Sequence, residues 1–448
     1  MESVRPAAVA GMFYAGDARA LAAEVEDLLG GVEQALPRLG YPKALVVPHA
    51  GYIYSGSVAA RAYDELAPAR GSVRRVVLLG PVHRVAVKGL AVPSAGAFAT
   101  PLGVVRVDGE ALRRARELPQ VLTSDPAHAL EHSLEVQLPF LQKTLGEFAV
   151  APFAVGMASV QEVAEVIERL WGGPETLIVV SSDLSHYHSY DEACKIDRAT
   201  IARIASFATD IDHEEACGAT PLNGLLFAAK QRNLALKLLS ACNSGDTAGG
   251  KGQVVGYSSF ALYQDGEVPL DEAGRTLLSI ARGAIEGSLF SKSSETRDAA
   301  WLQQSGASFV TLTKNGELRG CIGSLEPARA LGEDVAQNAL GAAFRDPRFT
   351  AMSAVEWPQC RVEVSLLSTP KPLRFADEND LLAQIRAGED GLILEADGRR
   401  GTFLPQVWEG IANKQVFLKE LIRKAGLPAD IRLTRCKLSR YRVVKWKE

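Results

Sequence analysis

Short apolar segments alternate with amphipathic segments along the first 265 residues of the chain. Four of the apolar segments are rich in β-branched residues and bounded by turn residues, and they are predicted as strands: Ala44–Val47, Val73–Leu79, Leu177–Val180 and Val254–Tyr263. Between them, Ala18–Leu29 and Val58–Leu66 carry apolar residues at three- and four-residue spacing, which is typical of helices that bury one face. Strands that alternate with helices predict an α/β domain with a mainly parallel central sheet.

This alternation ends at residues 264–271, where turn residues and charges replace core residues. A new helix is predicted over Leu270–Gly287, with Asp271 as its cap. The remainder mixes a predicted helix with extended segments: Leu331–Phe344, Ala307–Thr313, Arg361–Leu367 and Gly391–Glu395. We therefore predict a domain over 1–265, a linker over 266–270 and a smaller α+β domain over 271–448.

The composition is typical of a globular protein with a buried core, since 47% of the residues are hydrophobic and 23% are charged. A net charge of -4 gives no positive field that would attract nucleic acid. No apolar run approaches the ~18 residues of a membrane span, and the first residues lack the apolar core of a signal peptide. The six cysteines are scattered without a CxxC pair, so we expect a reducing, cytoplasmic environment and neither nucleic acid nor membrane as a partner.

Histidines follow three of the segments that are predicted as strands or strand-like runs. His49 comes directly after the first, His83 follows the second, and Asp183 and His186 follow the third. Ligands of open α/β sheets bind outside the carboxyl ends of the strands. Neutral imidazole is a common metal ligand and also titrates near pH 7. We therefore expect these side chains to meet at one edge of the sheet.

Two further segments carry candidate chemistry. Cys242 lies in a polar, glycine-rich loop, where a thiolate would be a strong, soft metal donor. His128, Glu131 and His132 fit the HxxEH zinc-peptidase pattern, but that interpretation leaves the strand-end histidines unexplained. A role in lining the substrate pocket fits Glu131 and His132 better, and we place Tyr54 in the same pocket.

Five ordered segments resemble the Memo family over residues 4–264: PHAGYIYSG (48–56), LLGPVH (78–83), EHSLEVQLPFL (131–141), SSDLSHY (181–187) and CNSGD (242–246). The resemblance implies the fold of class III extradiol dioxygenases, with a metal pocket at the sheet edge. It also implies that His49, His83 and Cys242 are the metal ligands, with Asp183 beside them. His186 falls where the related dioxygenases keep an acid–base histidine.

The second domain resembles the AMMECR type through LRGCIGS (318–324), DPRF (346–349) and FLPQVW (403–408). This pairing of domains is similar to components B and A of the AmmeMemoRadiSam system. It implies a radical S-adenosylmethionine protein as a partner. Within this domain Arg319 is a candidate for recognising a carboxylate or phosphate, and Cys321, between glycines, is either catalytic or a small structural thiol.

From these observations we expect a mononuclear, metal-dependent redox enzyme that acts on a small molecule. Iron is the expected metal, with copper or zinc as alternatives, because a cysteine replaces the carboxylate ligand of the dioxygenases. Two other functions stay open at this point. The pocket would hold metal for binding or sensing in an adaptor protein, or Cys242 would act as the nucleophile of a hydrolase or transferase.

Overall fold

A computed structural model describes residues 3–33, 37, 39–264, 270–291 and 299–448, without the side chain of residue 300. The chain forms two compact units, one of residues 1–32 and 41–267, the other of residues 33–40 and 268–448. The predicted linker, 266–270, falls largely outside the described residues. None of the helices in the described ranges has the length and apolar character that crossing a bilayer requires.

The first unit is built on a twelve-stranded sheet. Its strands are β1 (Val4–Arg5), β2 (Ala44–Val47), β3 (Arg75–Pro81), β4 (Leu90–Val92), β5 (Ala97–Thr100), β6 (Gly103–Val107), β7 (Val121–Thr123), β8 (Ala149–Val155), β9 (Thr176–Ser181), β10 (His186–His188), β11 (Ala235–Asn243) and β12 (Val254–Tyr263). Its helices are α1 (Ala18–Gly30), α2 (Tyr52–Asp64), α3 (Gly109–Ala115), α4 (Asp125–Ala129), α5 (Leu138–Leu145), α6 (Val160–Arg169), α7 (Tyr190–Ala205) and α8 (Ala219–Gln231). Short 3₁₀ helices lie at Ala67–Ala69, Glu135–Gln137 and Ser244–Asp246.

The centre of this sheet is parallel, in the order β6-β8-β3-β9-β2. The antiparallel strand β12 extends it on the β2 side and pairs with β10 and β11. Strands β2 and β9 are buried throughout, and β3 and β8 are buried at all but their first residue. Two hydrophobic cores lie against the sheet, one including residues of α6 and α8, the other residues of α1, α2 and α5. Parallel strands buried by helices are the architecture that the alternating pattern predicts, and this prediction is confirmed.

The second unit contains two four-stranded antiparallel sheets and a small two-stranded one. Its strands are β13 (Ser305–Gly306), β14 (Ser308–Lys314), β15 (Glu317–Gly323), β16 (Arg329–Ala330), β17 (Cys360–Leu367), β18 (Lys371–Pro372), β19 (Gly391–Ala396), β20 (Arg399–Phe403), β21 (Lys437–Tyr441) and β22 (Val443–Lys447). Its helices are α9 (Leu270–Phe290), α10 (Leu331–Phe344), α11 (Glu378–Gln384) and α12 (Lys414–Lys424), and its 3₁₀ helices are Ala300–Leu302, Trp357–Gln359, Pro405–Glu409 and Leu433–Arg435.

One sheet of this unit, β15-β14-β17-β22, packs α9 and α10 against a single face. The other sheet, β18-β21-β19-β20, shares a separate core with α11 and α12. The smaller α+β domain is therefore confirmed. Helix α9 begins at Leu270, as predicted, but Asp271 lies in its first turn instead of capping it.

Candidate metal centre

The carboxyl ends of three adjacent strands deliver polar side chains to one edge of the sheet. Strand β9 lies between β3 and β2, and all three run parallel. His49 follows β2 by two residues, His83 follows β3 by two residues, and Asp183 follows β9 by two residues. Because the three strands are paired in parallel register, His49, His83 and Asp183 lie at the same height along the strand direction.

His49, His83 and His132 form the centre of the site. A ligand nitrogen of each lies within 4.8 Å of a ligand nitrogen of the other two. The ring centroids are 5.2 Å apart for His49 and His83, 5.4 Å for His49 and His132, and 4.7 Å for His83 and His132. Among the residues that the structure describes, no other three His, Cys, Asp or Glu side chains meet this distance.

Hydrogen bonds fix the tautomer of His49. The Ser181 hydroxyl donates its single proton to the Ser133 carbonyl (2.7 Å) and accepts from the Gln137 amide (2.9 Å). Gln137 is itself oriented, because its carbonyl accepts from the Tyr63 hydroxyl (2.8 Å). His49 Nδ1 lies 2.8 Å from Ser181 Oγ and must therefore donate to it. The lone pair of His49 is consequently on Nε2.

Glu131 orients His83 in the same sense. Its carboxylate accepts from His83 Nδ1 (2.8 Å), from the His83 backbone N–H (2.7 Å) and from the Ser133 backbone N–H (2.9 Å). Burial alone would raise the pKa of Glu131, but these hydrogen bonds outweigh it and hold the pKa at about 2. An ionised Glu131 requires Nδ1 of His83 to be the donor, so Nε2 again carries the lone pair.

His132 is brought to this pair by the loop before Glu135–Gln137. The Ser133 hydroxyl donates to the Pro81 carbonyl at the end of β3 (2.8 Å), and a Cβ at Gly80 would lie only 2.7 Å from that hydroxyl. A glycine at position 80 thus permits the loop to approach the strand. His132 Nδ1 lies 3.4 Å from Glu131, and the Phe13 ring packs against the imidazole at 4.7 Å.

Burial keeps the imidazoles of His49 and His132 neutral. It lowers the pKa of His49 well below the usual value and lowers that of His132 to about 4, although the charge of Glu131 opposes the latter shift. Imidazole nitrogens that lie this close together suit zinc, copper, iron and nickel as ligands. The donor set therefore fits a transition-metal ion.

Asp183 and His186 lie beside this cluster. Asp183 accepts the His49 backbone N–H (2.7 Å), and its Oδ2 lies 4.0 Å from His49 Nε2. Burial raises the pKa of Asp183 to about 7. His186 starts β10, which pairs with β12, and its pKa is lowered by burial and by the charge of His83. Both groups are thus electrostatically coupled to the histidine cluster.

The structure groups His132, not Cys242, with His49 and His83. Cys242 stands opposite Tyr257 in the β11–β12 ladder and lines a surface cavity of about 570 Å³ with residues of α1 and α2. Its role as a ligand stays a prediction. Sequence reasoning missed Cys217, whose Sγ lies 3.2 Å from His49 Nε2 and which precedes α8 without any recognisable pattern.

Tyr257 lies near three of the predicted site residues, Asp183, Cys242 and Tyr54. Burial raises its pKa, and so do the charges of Asp183, Cys242 and Tyr54, which places it among all three. Tyr54 itself is 38% exposed in the first turn of α2, and its place in a substrate pocket stays a prediction. Tyr257 lies in β12, where it stands opposite Cys242 of β11.

The HxxEH interpretation does not fit the geometry. Helix α4 ends at Ala129, so His128 and His132 do not share a helix face. His128 is buried, and its Nε2 bonds the Ala91 carbonyl at 2.9 Å. Its ring packs against Phe98, away from the three-histidine group.

In the second unit, the predicted anion-binding Arg319 is held by the protein's own carboxylate. Its Nε and Nη2 donate to both oxygens of Glu356 (2.8 and 2.9 Å), and Nη2 also donates to the Thr350 carbonyl (2.7 Å). Cys321 is half-buried two residues further along β15. This arrangement favours a structural role for Arg319.

Comparison with known proteins gives two family matches. The Memo-like protein family matches residues 5–261, and the AMMECR1 family matches residues 278–446. A MEMO1 family protein of Aquifex aeolicus is 39% identical over 57% of this chain and 97% of its own length. A MEMO1 family protein of Sulfolobus acidocaldarius is 36% identical over 57% of this chain and 98% of its own. The crystal structure of the uncharacterized protein PH0010 from Pyrococcus horikoshii is 33% identical, covers 40% of this chain and 92% of its own, and superposes with a TM-score of 0.37.

Proposed function

Because this chain belongs to the Memo family and continues into an AMMECR1 domain, we propose that its first unit is an enzyme that depends on one transition-metal ion. The observation that carries the proposal is the convergence of His49, His83 and His132 at one sheet edge. For His49 and His83, the hydrogen bonds from Nδ1 to Ser181 and Glu131 leave the lone pair of each ring on Nε2. Such outer partners are the usual companions of metal-ligating histidines.

The ion, when bound, would polarise a substrate oxygen and, if it is iron or copper, exchange electrons with the substrate. Three protein ligands leave positions for a small molecule to bind. The resemblance to extradiol dioxygenases makes iron the preferred metal and a redox reaction the preferred chemistry. The pairing of a Memo domain with an AMMECR1 domain supports a radical S-adenosylmethionine protein as a partner.

The chain itself supplies proton transfer. His186 donates one ring N–H to the Leu184 carbonyl, which leaves its other nitrogen as a base in its neutral form. Asp183, with a pKa of about 7, changes its protonation state near neutral pH. General acid–base catalysis of this kind contributes ~10²–10⁴-fold in rate. We assign proton handling to His186, with Asp183 as its neighbour in the site.

The identity of the third ligand is the sharpest point to test. The family resemblance implies Cys242, whereas the geometry favours His132. We would purify wild type, His49→Ala, His132→Ala and Cys242→Ser without oxygen and measure metal per chain, with His213→Ala as the control because His213 is exposed. We expect His49→Ala and His132→Ala to lose the ion and the control to keep it.

The outcomes separate the alternatives. If Cys242→Ser loses the ion and His132→Ala retains it, the ligand set that the resemblance implies is correct. If His49→Ala retains one tightly bound ion, the proposed metal centre is wrong. With equal metal content, full turnover by His186→Ala would favour a binding or sensing role over catalysis.

A cysteine nucleophile is the function that the electrostatics disfavour. Burial and the nearby charge of Asp246 together raise the pKa of Cys242 to about 11. Cys217 contacts a histidine, as a nucleophile would, but burial raises its pKa well above the usual range. The reactive species of a cysteine enzyme is the thiolate, which both sites oppose.

A further inference from the structure

A cavity of about 450 Å³ in the second unit is lined by segments that belong to its two four-stranded sheets or flank them. Val443 and Lys445 line it from β22 of one sheet. Gly388 lies before β19 of the other sheet, and the 3₁₀ helix Pro405–Glu409 follows β20 of that sheet. Cavities of roughly 300–1,000 Å³ between packed parts of a protein are the usual sites for small molecules. This cavity is therefore a candidate ligand site.

One wall of the cavity is apolar and fixed in place. It includes Trp408, which belongs to the FLPQVW segment by which this domain resembles the AMMECR type. The indole Nε1–H donates to the Asp390 carbonyl (2.7 Å), and the ring is stacked on Phe417, with centroids 3.6 Å apart and planes inclined by 4°. Pro405 and Val443 belong to the same apolar lining. Because the hydrogen bond and the stacking already fix the indole, binding a molecule against it costs little side-chain ordering.

Three polar side chains of the lining have no partner in the part of the chain that the structure describes: Gln406, Glu409 and Lys445. Oε1 of Gln406 is buried and accepts no hydrogen bond from any described residue. Glu409 and Lys445 carry opposite charges, yet neither forms an ion pair with the other or with another residue in the described ranges. Buried polar atoms of folded proteins are nearly always hydrogen-bonded, so an unpartnered amide oxygen on a side chain that lines a cavity points to a ligand.

We propose that this cavity binds a free amino acid with an apolar side chain. The ammonium group of the ligand would donate hydrogen bonds to Gln406 Oε1 and to the Glu409 carboxylate, and its carboxylate would bind Lys445. Its side chain would lie against Trp408. A simple anion would leave Glu409 unpaired, a simple cation would leave Lys445 unpaired, and a neutral molecule would leave both unpaired. Binding of this kind is independent of the metal centre in the first unit.

Isothermal titration calorimetry on the full chain tests this with L-phenylalanine, L-leucine and two analogues of phenylalanine. N-acetyl-L-phenylalanine lacks the ammonium group, and L-phenylalanine amide lacks the carboxylate. We expect one molecule of L-phenylalanine or L-leucine to bind per chain. Each analogue should bind ~10-fold more weakly than L-phenylalanine, because one charged group of the cavity has lost its counterpart.

Variants of the lining assign each charge. Glu409→Gln should weaken binding of L-phenylalanine ~10-fold and abolish its advantage over the N-acetyl analogue, whereas Lys445→Gln should abolish its advantage over the amide. Gln406→Leu should weaken binding of phenylalanine and of both analogues, since each keeps an N–H donor. Lys447→Gln is the matched control, because Lys447 lies two residues further along β22 and outside the lining.

Absence of saturable binding with both L-phenylalanine and L-leucine would overturn the proposal. Equal affinities of wild type for phenylalanine and its two analogues would overturn it as well, and this comparison holds even if a variant does not fold. An equal loss of affinity in Lys445→Gln and Lys447→Gln would assign the effect to net charge and exclude the cavity as the site.

Discussion

Both units contain buried or partly buried carboxylates, but the groups that donate hydrogen bonds to them differ. In the first unit Glu131 and Asp183 accept hydrogen bonds from His83 and from the His49 backbone. In the second unit Glu356 and Asp346 bind Arg319 and Arg348 through two parallel hydrogen bonds each. An imidazole that donates on one side keeps a lone pair on the other, whereas a guanidinium has only donors. The first arrangement can bind a metal, and the second stabilises the fold.

The largest effect is expected from His83→Ala, which should abolish stoichiometric metal binding because one of three ligands is lost. Elemental analysis of the purified chain measures this. Arg319→Met is the matched variant from the other unit and should keep a full complement of metal. Equal loss of metal in both variants would show that the two units do not divide their roles in this way.

Arg319→Met should instead lower the free energy of unfolding of the second unit by about 2 kcal/mol, since it leaves the partly buried Glu356 with Lys314 Nζ (3.2 Å) as its cationic partner in place of two. Four of the five tryptophans lie in the second unit, so tryptophan fluorescence in denaturant reports mainly on it. Arg386→Met, at a side chain that is 48% exposed, is the control and should change stability by less than ~0.5 kcal/mol. A loss below 1 kcal/mol for Arg319→Met would contradict a structural role.

Glu131→Gln should weaken metal binding by ~10–100-fold, because the carboxylate orients a ligand without binding the ion itself. Competition with a chelator gives the affinity. Glu117→Gln, at a side chain that is 62% exposed, should leave the affinity unchanged. An unaltered affinity in Glu131→Gln would mean that His83 does not depend on this hydrogen bond.

The smallest effect is a loss of stability in acid. Hydrogen bonds from Arg319 and, less strongly, from Lys314 lower the pKa of Glu356 to about 2, although burial opposes them. A carboxyl whose pKa is lower in the folded state stabilises the fold above its unfolded value of about 4.3, and this stability is lost as the pH falls toward 2. Tryptophan fluorescence across this range should show a steeper acid dependence in wild type than in Arg319→Met. Superimposable curves would exclude the pair as the cause.

Most of the fold was predictable from the sequence. The predicted strands Ala44–Val47 and Val254–Tyr263 and the helix Leu331–Phe344 have the observed bounds. The helix predicted at Val58–Leu66 begins six residues earlier, at Tyr52. Its first turn contains the polar and aromatic residues of the strand-end segment, which hide the helical period. Hydrophobic periodicity therefore located buried elements well and their polar ends poorly.

The sequence by itself determined that His49 and His83 would share one edge, because parallel neighbouring strands end on the same side. Only the tertiary structure decided that His132 joins them while Cys242 stands beside Tyr257, and that Cys217 reaches His49. The reason is that strand ends are placed by a regular hydrogen-bonded ladder, whose direction can be deduced from the pattern of the chain. The loops that carry His132 and Cys217 are placed by single contacts, such as those from Ser133 to Pro81 and from Gly218 to Ser182. Contacts of that kind join residues far apart in sequence and leave no periodic trace.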